Sequence, residues 1–168
     1  MPSPGTSAER QGLEDDFLFA MRRTGSNMQL FVQAAAERIG LNATDLNCLN
    51  IAGLTGRMTA GELARATGLT TASITGVLDR LEEGGFIRRE RDLRDRRRVI
   101  VNVKAGPGLG DIAPTFGPLI KGWRDIAARY SDEELRLILQ FQAQVEQIMH
   151  DQLARLRGEG RGGGRAAR

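Results

Sequence analysis

The sequence has few of the residues that build metal sites, disulfides or membrane spans. It contains one cysteine, Cys48, and one histidine, His150, among 168 residues, which excludes an internal disulfide and a Cys/His zinc site. Aromatic residues make up only 5% of the chain, so a core must come from Leu, Ile, Val, Met and Ala. No apolar run approaches the ~20 residues that a membrane helix needs, and the N-terminus lacks the apolar segment of a signal peptide. We therefore expect a cytoplasmic protein without membrane association.

Positive and negative charges nearly balance over the whole chain, but basic residues are concentrated in one segment. The net charge is +3, and hydrophobic residues at 40% and charged residues at 27% are ordinary for a globular protein. Between Arg88 and Lys104, however, eight basic residues stand against three acidic ones. A local surplus of this kind attracts polyanions even when the whole molecule is almost neutral.

The segment from Thr59 to Glu83 has the spacing of a helix-turn-helix. Thr59 and Glu62 form a T-x-x-E capping box before a short helix, and Gly68 supplies the positive-φ residue that ends it. Thr70 is expected to cap the next helix, which runs to about Glu83. On a 3.6-residue wheel, one face of that helix is apolar and consists of Ile74, Val77, Leu78 and Leu81.

The opposite face of this helix is small and uncharged over its first two turns. A helix that enters the major groove by its N-terminal end needs such a surface. The alternative interpretation is an amphipathic helix packed in some other all-α fold. The strand pattern that follows this helix makes that alternative the weaker one. The predicted DNA contacts on this helix are Thr70, Thr71, Ser73, Thr75, Gly76 and Arg80.

Two strand candidates, Phe86–Arg91 and Arg98–Lys104, flank a charged connection. In the second, Val99, Val101 and Val103 alternate with Ile100, Asn102 and Lys104, which predicts one apolar side. The pattern predicts a β-hairpin wing, although a solvated charge run is the alternative for its arginines. Asp92 is expected to tie the turn by accepting hydrogen bonds from Arg97 or from backbone amides. The DNA contacts predicted for the wing are Arg94, Arg96 and Arg97, with Arg94 or Arg96 entering the minor groove.

Two helices are expected before this module. The first runs from Ala8 to Ile39, with a bend or break near Thr24–Ser26 because Gly25 interrupts it. The second begins after Asn42, a plausible N-cap, and stops around Thr55–Gly56.

Two more helices are expected after the wing. Pro114 and Pro118 are predicted to kink or divide the first, whose expected part is Leu119–Arg129. The last helix is expected from Asp132 to about Leu156. Its apolar stripe is longer than one winged-helix lobe can cover, which predicts a homodimer. The stripe consists of Leu135, Ile138, Leu139, Val145, Ile148, Met149, Leu153 and Leu156.

The order of these elements resembles the MarR family (multiple-antibiotic-resistance regulators). The match is carried by Leu63-Ala64, by Leu69, by the run from Val77 to Glu82 and by Gly85-Phe86-Ile87. Its most specific part is Asp92-x-Arg94-x-x-Arg97, which fits the family's D-x-R-x-x-R wing signature. The resemblance covers roughly Leu13 to Leu156 and implies a mainly α fold with a small β-hairpin wing, in which a winged helix-turn-helix lobe joins a helical dimerisation region.

The resemblance also implies a domain organisation and a function. A single domain is expected over residues 8–156, with a DNA-binding lobe at about 42–105 and dimerisation helices at about 8–39 and 107–156. Residues 1–7 and the Gly/Arg-rich residues 157–168 are expected to be disordered. The implied function is a homodimeric repressor on a pseudo-palindromic double-stranded operator, which releases DNA when a small aromatic or phenolic ligand binds.

Two other functions are compatible with parts of the sequence. A non-specific architectural DNA-binding protein would use the same basic surface and show little base preference, but Ser and Thr groups on the outer helix face argue against it. An enzyme would need a nucleophile–base pair or paired acids in a cleft, and the sequence suggests no catalytic residue, metal or cofactor. Cys48 is expected to be a small buried hydrophobe rather than a redox switch.

Overall fold

The computed structural model describes residues 7–92, 95, 98–103 and 112–162, with the backbone alone at 159–162. The chain divides into two compact units, Met1–Thr115 and Phe116–Arg168. Helices dominate both, and the predicted mainly α fold with a small β wing is confirmed. The elements in chain order are α1 (Ser7–Arg38), α2 (Ala43–Thr55), β1 (Met58–Thr59), α3 (Ala60–Thr67), α4 (Thr71–Glu83), β2 (Ile87–Arg91), β3 (Val99–Val103), α5 (Ile112–Ala127) and α6 (Asp132–Gly162).

The strands of the first unit form one antiparallel sheet in the order β1-β3-β2. β2 and β3 make the predicted hairpin, in which Ile87 lies opposite Val103. β1 adds a third strand that the sequence pattern did not predict, with Met58 opposite Val101. A two-residue strand has no periodicity of its own, and Thr59 also serves as the N-cap of α3.

The core of this unit lies between α2, α3, α4 and the sheet. The apolar face predicted for α4 is confirmed, because all four of its side chains are at most 2% exposed. β3 differs from the prediction, since Ile100 is buried as well as Val101, while Val99 and Val103 are only half-buried. Ile100 lies opposite Thr59 of the added strand β1, so periodicity alone did not predict which side of β3 is buried.

The turn between α3 and α4 is built as predicted. Thr59 Oγ1 accepts from the Glu62 amide at 3.1 Å, and the Glu62 carboxylate accepts from the Thr59 amide at 2.7 Å. These bonds from Thr59 hold the pKa of Glu62 below its ordinary value. Gly68 then ends α3 with φ 77° and ψ 8°. Thr70 Oγ1 accepts from the Ser73 amide at 3.2 Å and so caps α4.

Of the predicted bend or break in the first helix, the break is wrong, because α1 continues through Gly25; the bend stays a prediction. A glycine in a helix interior costs only about 1 kcal/mol, and a helix that is already formed continues with one hydrogen bond per residue. The second helix begins as predicted, with Asn42 Oδ1 accepting from the Asp45 amide at 2.8 Å. It ends at Thr55, with Gly56 as its C-cap.

Of the predicted kink or division of the next helix at its prolines, the division is wrong, because α5 is continuous from Ile112 to Ala127; the kink stays a prediction. Pro114 lies in the first turn, where amides have no intrahelical partner. Pro118 lies one turn later, so the only backbone bond that it removes is the one to the Pro114 carbonyl. α5 ends two residues before the predicted Arg129.

α6 begins after a second capping box, in which Ser131 and Glu134 bond each other's amides at 2.8 and 3.2 Å. It reaches Gly162, past the predicted start of the tail at residue 157. Backbone hydrogen bonds can extend a helix without apolar side chains, which is why composition alone placed its end too early. Within the described ranges, every helix is too short or too polar to serve as a membrane span.

Candidate nucleic-acid interface

Small polar side chains lie along both edges of the exposed surface of α4. Thr71, Ser73 and Thr75 are exposed, and Gly76 is half-buried. Because Ile74 and its buried neighbours hold the other face in the core, the direction in which these groups point is set by packing. The structure therefore places the six α4 residues predicted as DNA contacts on the first three turns of one rigid helix and at its cap.

The hydroxyl groups of this face already make local hydrogen bonds. Thr70 Oγ1 and Ser73 Oγ lie 2.9 Å apart, and one of the two hydroxyls donates a hydrogen bond to the other. The O–H of the accepting hydroxyl therefore remains as a donor for a ligand. Thr75 Oγ1 donates to the Thr71 carbonyl at 3.0 Å and therefore meets a ligand as an acceptor only. These bonds limit the rotation of all three hydroxyls.

Arg80 makes an ion pair with a carboxylate of α2. Its Nε donates to Asp45 Oδ2 at 2.8 Å and its Nη2 to Asp45 Oδ1 at 2.7 Å. Asp45 is 1% exposed and also accepts from Asn42 Nδ2 at 2.8 Å. The hydrogen bonds to Asp45 raise the pKa of Arg80. The sequence predicted Arg80 as a DNA contact and did not reveal Asp45, because an acid in the first turn of α2 is explained by the helix dipole alone.

A second ion-pair network joins α4 to the wing. The Arg89 amide donates to Glu82 Oε1 at 2.9 Å, and its guanidinium donates to Glu82 Oε2 at 2.7 Å and to Asp79 Oδ1 at 2.6 Å. The bonds to Glu82 are the main cause of the raised pKa of Arg89. Two acids of the recognised α4 motif thus fasten strand β2 to the helix.

The connection between β2 and β3 is described at Asp92, Asp95 and Arg98. The Asp92 amide donates to the Arg98 carbonyl at 3.0 Å, and the Arg98 amide donates to the Asp95 carbonyl at 2.9 Å. Asp92 Oδ1 accepts from the Asp95 amide at 3.4 Å. Arg98 Nη2 also donates to Glu62 Oε1 at 3.2 Å, which links this end of the wing to α3. The predicted contacts Arg94, Arg96 and Arg97 lie outside the described residues and stay predictions.

Cys48 lies in the core and is 1% exposed. Burial, assisted by the negative charge of Asp45, raises the pKa of its thiol to about 11. The group is therefore a neutral thiol at physiological pH. Among the residues that the structure describes, no group of three or more His, Cys, Asp and Glu side chains is placed to hold a metal ion.

A helix-turn-helix followed by an antiparallel wing defines a winged-helix DNA-binding protein. Residues 41–99 match the sequence model of the MarR family. Over 152 residues the chain is 41% identical to the "Uncharacterized HTH-type transcriptional regulator YcgE" of Bacillus subtilis (strain 168). This alignment covers 90% of this chain and 98% of that protein.

Solved structures agree with this classification. Transcriptional regulator PA4135 superposes with a TM-score of 0.55 at 27% identity, over 79% of this chain and 96% of its own. A mutant of S. aureus MepR bound to an oligodeoxyribonucleotide shares the fold, with a TM-score of 0.53 at 17% identity over 80% and 96% of the two chains.

The chain belongs to the MarR family and is a DNA-binding transcriptional regulator. The resemblance read from the wing and helix motifs is confirmed. Members of this family are transcriptional regulators and not enzymes, which agrees with the predicted non-enzymatic function.

Proposed function

We propose that the protein is a homodimer that recognises a pseudo-palindromic operator through α4 of each subunit. The observation that carries this proposal is the outward face of α4, where Thr71, Ser73 and Thr75 are exposed on a helix fixed by its buried side. Hydroxyl groups hydrogen-bond to base edges but do not attract phosphates over a distance. Such a face suits discrimination between sequences better than indiscriminate binding.

Each predicted residue has a place in this proposal. Thr70, Thr71, Ser73 and Thr75 face the bases, and Gly76 lets the helix backbone approach them closely. Arg80 contacts the DNA from the third turn of α4. Arg94 and Arg96 of the wing reach phosphates or the minor groove, while Arg97 supports the turn together with Asp92. The same fold holds an oligodeoxyribonucleotide in MepR.

The homodimer is supported by apolar side chains that the single chain leaves exposed. On α6, Met149 and Leu156 are 60% and 65% exposed, and on α1 Leu13 is 67% exposed. Extended apolar surfaces of this kind mark interfaces, and obligate dimers bury more than ~2,000 Å². The proposal therefore assigns dimerisation to residues of about 8–39 and 107–156 and DNA binding to about 42–105.

We further propose that the protein is a cytoplasmic repressor that a small aromatic or phenolic ligand releases from DNA. Family membership and the exposed apolar residues of α1 and α5 support this, including Trp123 at 51% exposure. Trp123 is the only tryptophan of the chain, so a change in its fluorescence would report a ligand that binds beside α5. Aromatic acids are expected to quench it and to weaken operator binding in parallel, whereas quenching without release from DNA would contradict the switch.

The direct test of the DNA-binding proposal is selection of duplexes from a random pool by the purified protein. The expected product is a pseudo-palindrome with half-sites ~10 base pairs apart, because two recognition helices must meet the same groove face one turn on. Ser73→Ala and Thr75→Ala are expected to change the preferred bases, with ~1–3 kcal/mol at stake for a well-formed contact.

Thr55→Ala is the matched control, since it removes an exposed hydroxyl at the C-terminus of α2. If the α4 variants lose affinity equally for the selected and a random duplex, these hydroxyls do not read bases. That outcome would favour an architectural DNA-binding protein.

A further inference from the structure

The bond between Asp45 and Arg80 fixes the plane of an arginine on the surface of α4. Among the described residues, Asp45 is the one charged side chain that is buried. A buried carboxylate is costly unless hydrogen bonds compensate it, and Asp45 accepts from both Arg80 and Asn42. The carboxylate is therefore held in one position, and the guanidinium that it binds with two parallel bonds is held with it.

This arrangement leaves one end of the guanidinium available. Arginine has five N–H donors, and Asp45 occupies one on Nε and one on Nη2, so three remain on Nη1 and Nη2. The remaining N–H groups at the end of the fork point in parallel. Their spacing matches two neighbouring acceptors, such as two phosphate oxygens or N7 and O6 of guanine.

The available end lies on the same side of α4 as the Ser73 hydroxyl. Seven residues separate Ser73 from Arg80, which is nearly two full helical turns. Arg80 Nη1 is 3.6 Å from the position that a Cβ would occupy on Gly76. The Arg80 side chain is 52% exposed there, and a groove between the start of α2 and α4 runs past it, lined by Asn42, Thr44, Ala72, Ser73 and Gly76.

We propose that Asp45 is a positioning residue that presents Arg80 as a preorganised contact to two neighbouring acceptors on the operator. This inference rests on the proposed function, because it assumes that the outward face of α4 meets DNA. Asp45 already restricts the side chain, so DNA binding loses little of its rotamer freedom. Asp45 also neutralises the charge of Arg80, and the contact therefore contributes geometry more than long-range attraction.

The neutralised pair allows positioning to be separated from simple charge. Asp45→Asn adds one positive charge beside the DNA-binding surface and would strengthen DNA binding if charge alone mattered. If Asp45 acts by orienting Arg80, the same substitution weakens binding. Asp125→Asn on α5 is the matched control, because it makes the same charge change at an exposed pair with Lys121 outside the winged helix.

The experiment measures the affinity of the wild-type protein, Asp45→Asn, Arg80→Lys, their double variant and Asp125→Asn. The probes are a duplex selected from a random pool by the wild-type protein and a scrambled duplex of the same base composition. Lysine keeps the charge but lacks the fork, so Arg80→Lys tests the geometry directly. Thermal unfolding identifies a temperature at which each variant is folded. If Asp45→Asn does not fold at any usable temperature, Arg80→Lys alone provides the test.

We expect Asp45→Asn and Arg80→Lys each to weaken binding of the selected duplex about fivefold or more, and Asp125→Asn not to weaken it. The double variant is expected to bind no more weakly than Arg80→Lys, because Asp45 acts through Arg80. Loss on the selected duplex alone identifies a guanine contact, and equal loss on both duplexes identifies a phosphate contact.

Two outcomes would overturn the inference alone, and a third would overturn the proposed function with it. In the first, Asp45→Asn strengthens DNA binding as Asp125→Asn does. In the second, Arg80→Lys leaves DNA binding unchanged. Either result would show that the ion pair only holds α2 against α4. Enrichment of no sequence by the wild-type protein would overturn the proposed function and the inference together, so the two failures are distinguishable.

Discussion

Gly68 occupies the turn between α3 and α4 with a φ of 77°. An L side chain adopts this left-handed conformation at a cost of roughly 1–2 kcal/mol, so Gly68→Ala is expected to lower the free energy of unfolding by about that amount. Gly61→Ala is the control, because Gly61 lies in α3 and an added Cβ would meet nothing within 4 Å. It is expected to raise stability by about 0.4–1 kcal/mol. Urea unfolding measures the stability of both variants. Effects of the same sign would contradict the left-handed conformation assigned to Gly68.

Cys48 should make stability depend on pH in the alkaline range. Its pKa is raised from 9.0 to about 11 in the folded state, so between these values the folded state keeps the proton that the unfolded state releases. The contribution of the Cys48 thiol to the free energy of unfolding is fully present below pH 9 and is lost as pH rises through 11. The total loss is at most about 2–3 kcal/mol.

The measurement for Cys48 is urea unfolding of the wild-type protein and of Cys48→Ala between pH 8 and pH 11. We expect the stability difference between them to shrink as pH rises, because only the wild-type protein carries the thiol. Parallel pH profiles would show that the thiol ionises as easily in the folded protein as in the unfolded one.

At the scale of elements, Arg89 fastens the wing to the recognition helix. Arg89→Ala removes its bonds to Glu82 and Asp79 and is expected to lower the free energy of unfolding by about 1.5–3 kcal/mol. Arg88→Ala is the control, since the neighbouring Arg88 side chain is 63% exposed and lies 3.5 Å from Glu90. Its expected cost is below about 0.5 kcal/mol. Equal midpoint shifts in urea would argue against a specific connection between β2 and α4.

At the scale of the whole molecule, the apolar stripe of α6 is expected to hold two subunits together. Met149 lies at the centre of this stripe and is 60% exposed in the single chain. Met149→Glu would bury a charge in the interface, which is unfavourable without a partner. We expect sedimentation at micromolar concentration to show the wild-type protein at twice 18.4 kDa and the variant shifted toward the monomer.

Gln140→Glu is the control for this experiment, because it introduces the same charge on the opposite side of α6. It is expected to leave the dimer intact. A wild-type protein that sediments only at 18.4 kDa would contradict the dimer, and dissociation by both variants would show that charge rather than the stripe is responsible.

The amino-acid sequence by itself determined the features that depend on neighbours within one or two helical turns. The Thr59 capping box, the glycine that ends α3 and the apolar face of α4 were all predictable, because caps, positive φ and helical periodicity are local properties. The wing motif that begins at Asp92 was equally readable, and together with the helix motifs and the order of the elements it identified the family before any contact was known.

Only the tertiary structure decided which distant groups meet. Asp45 and Arg80 are 35 residues apart, and neither periodicity nor spacing encodes their bond. The pairing of β1 with β3 and the connection from Arg89 to α4 depend in the same way on how the chain closes. Whether α1 would tolerate Gly25 also required the fold, because a weak local preference yields to the hydrogen bonds of the helix on either side of it. Local interactions select the elements, and burial, which pairs Asp45 with an arginine from another helix, selects the contacts between them.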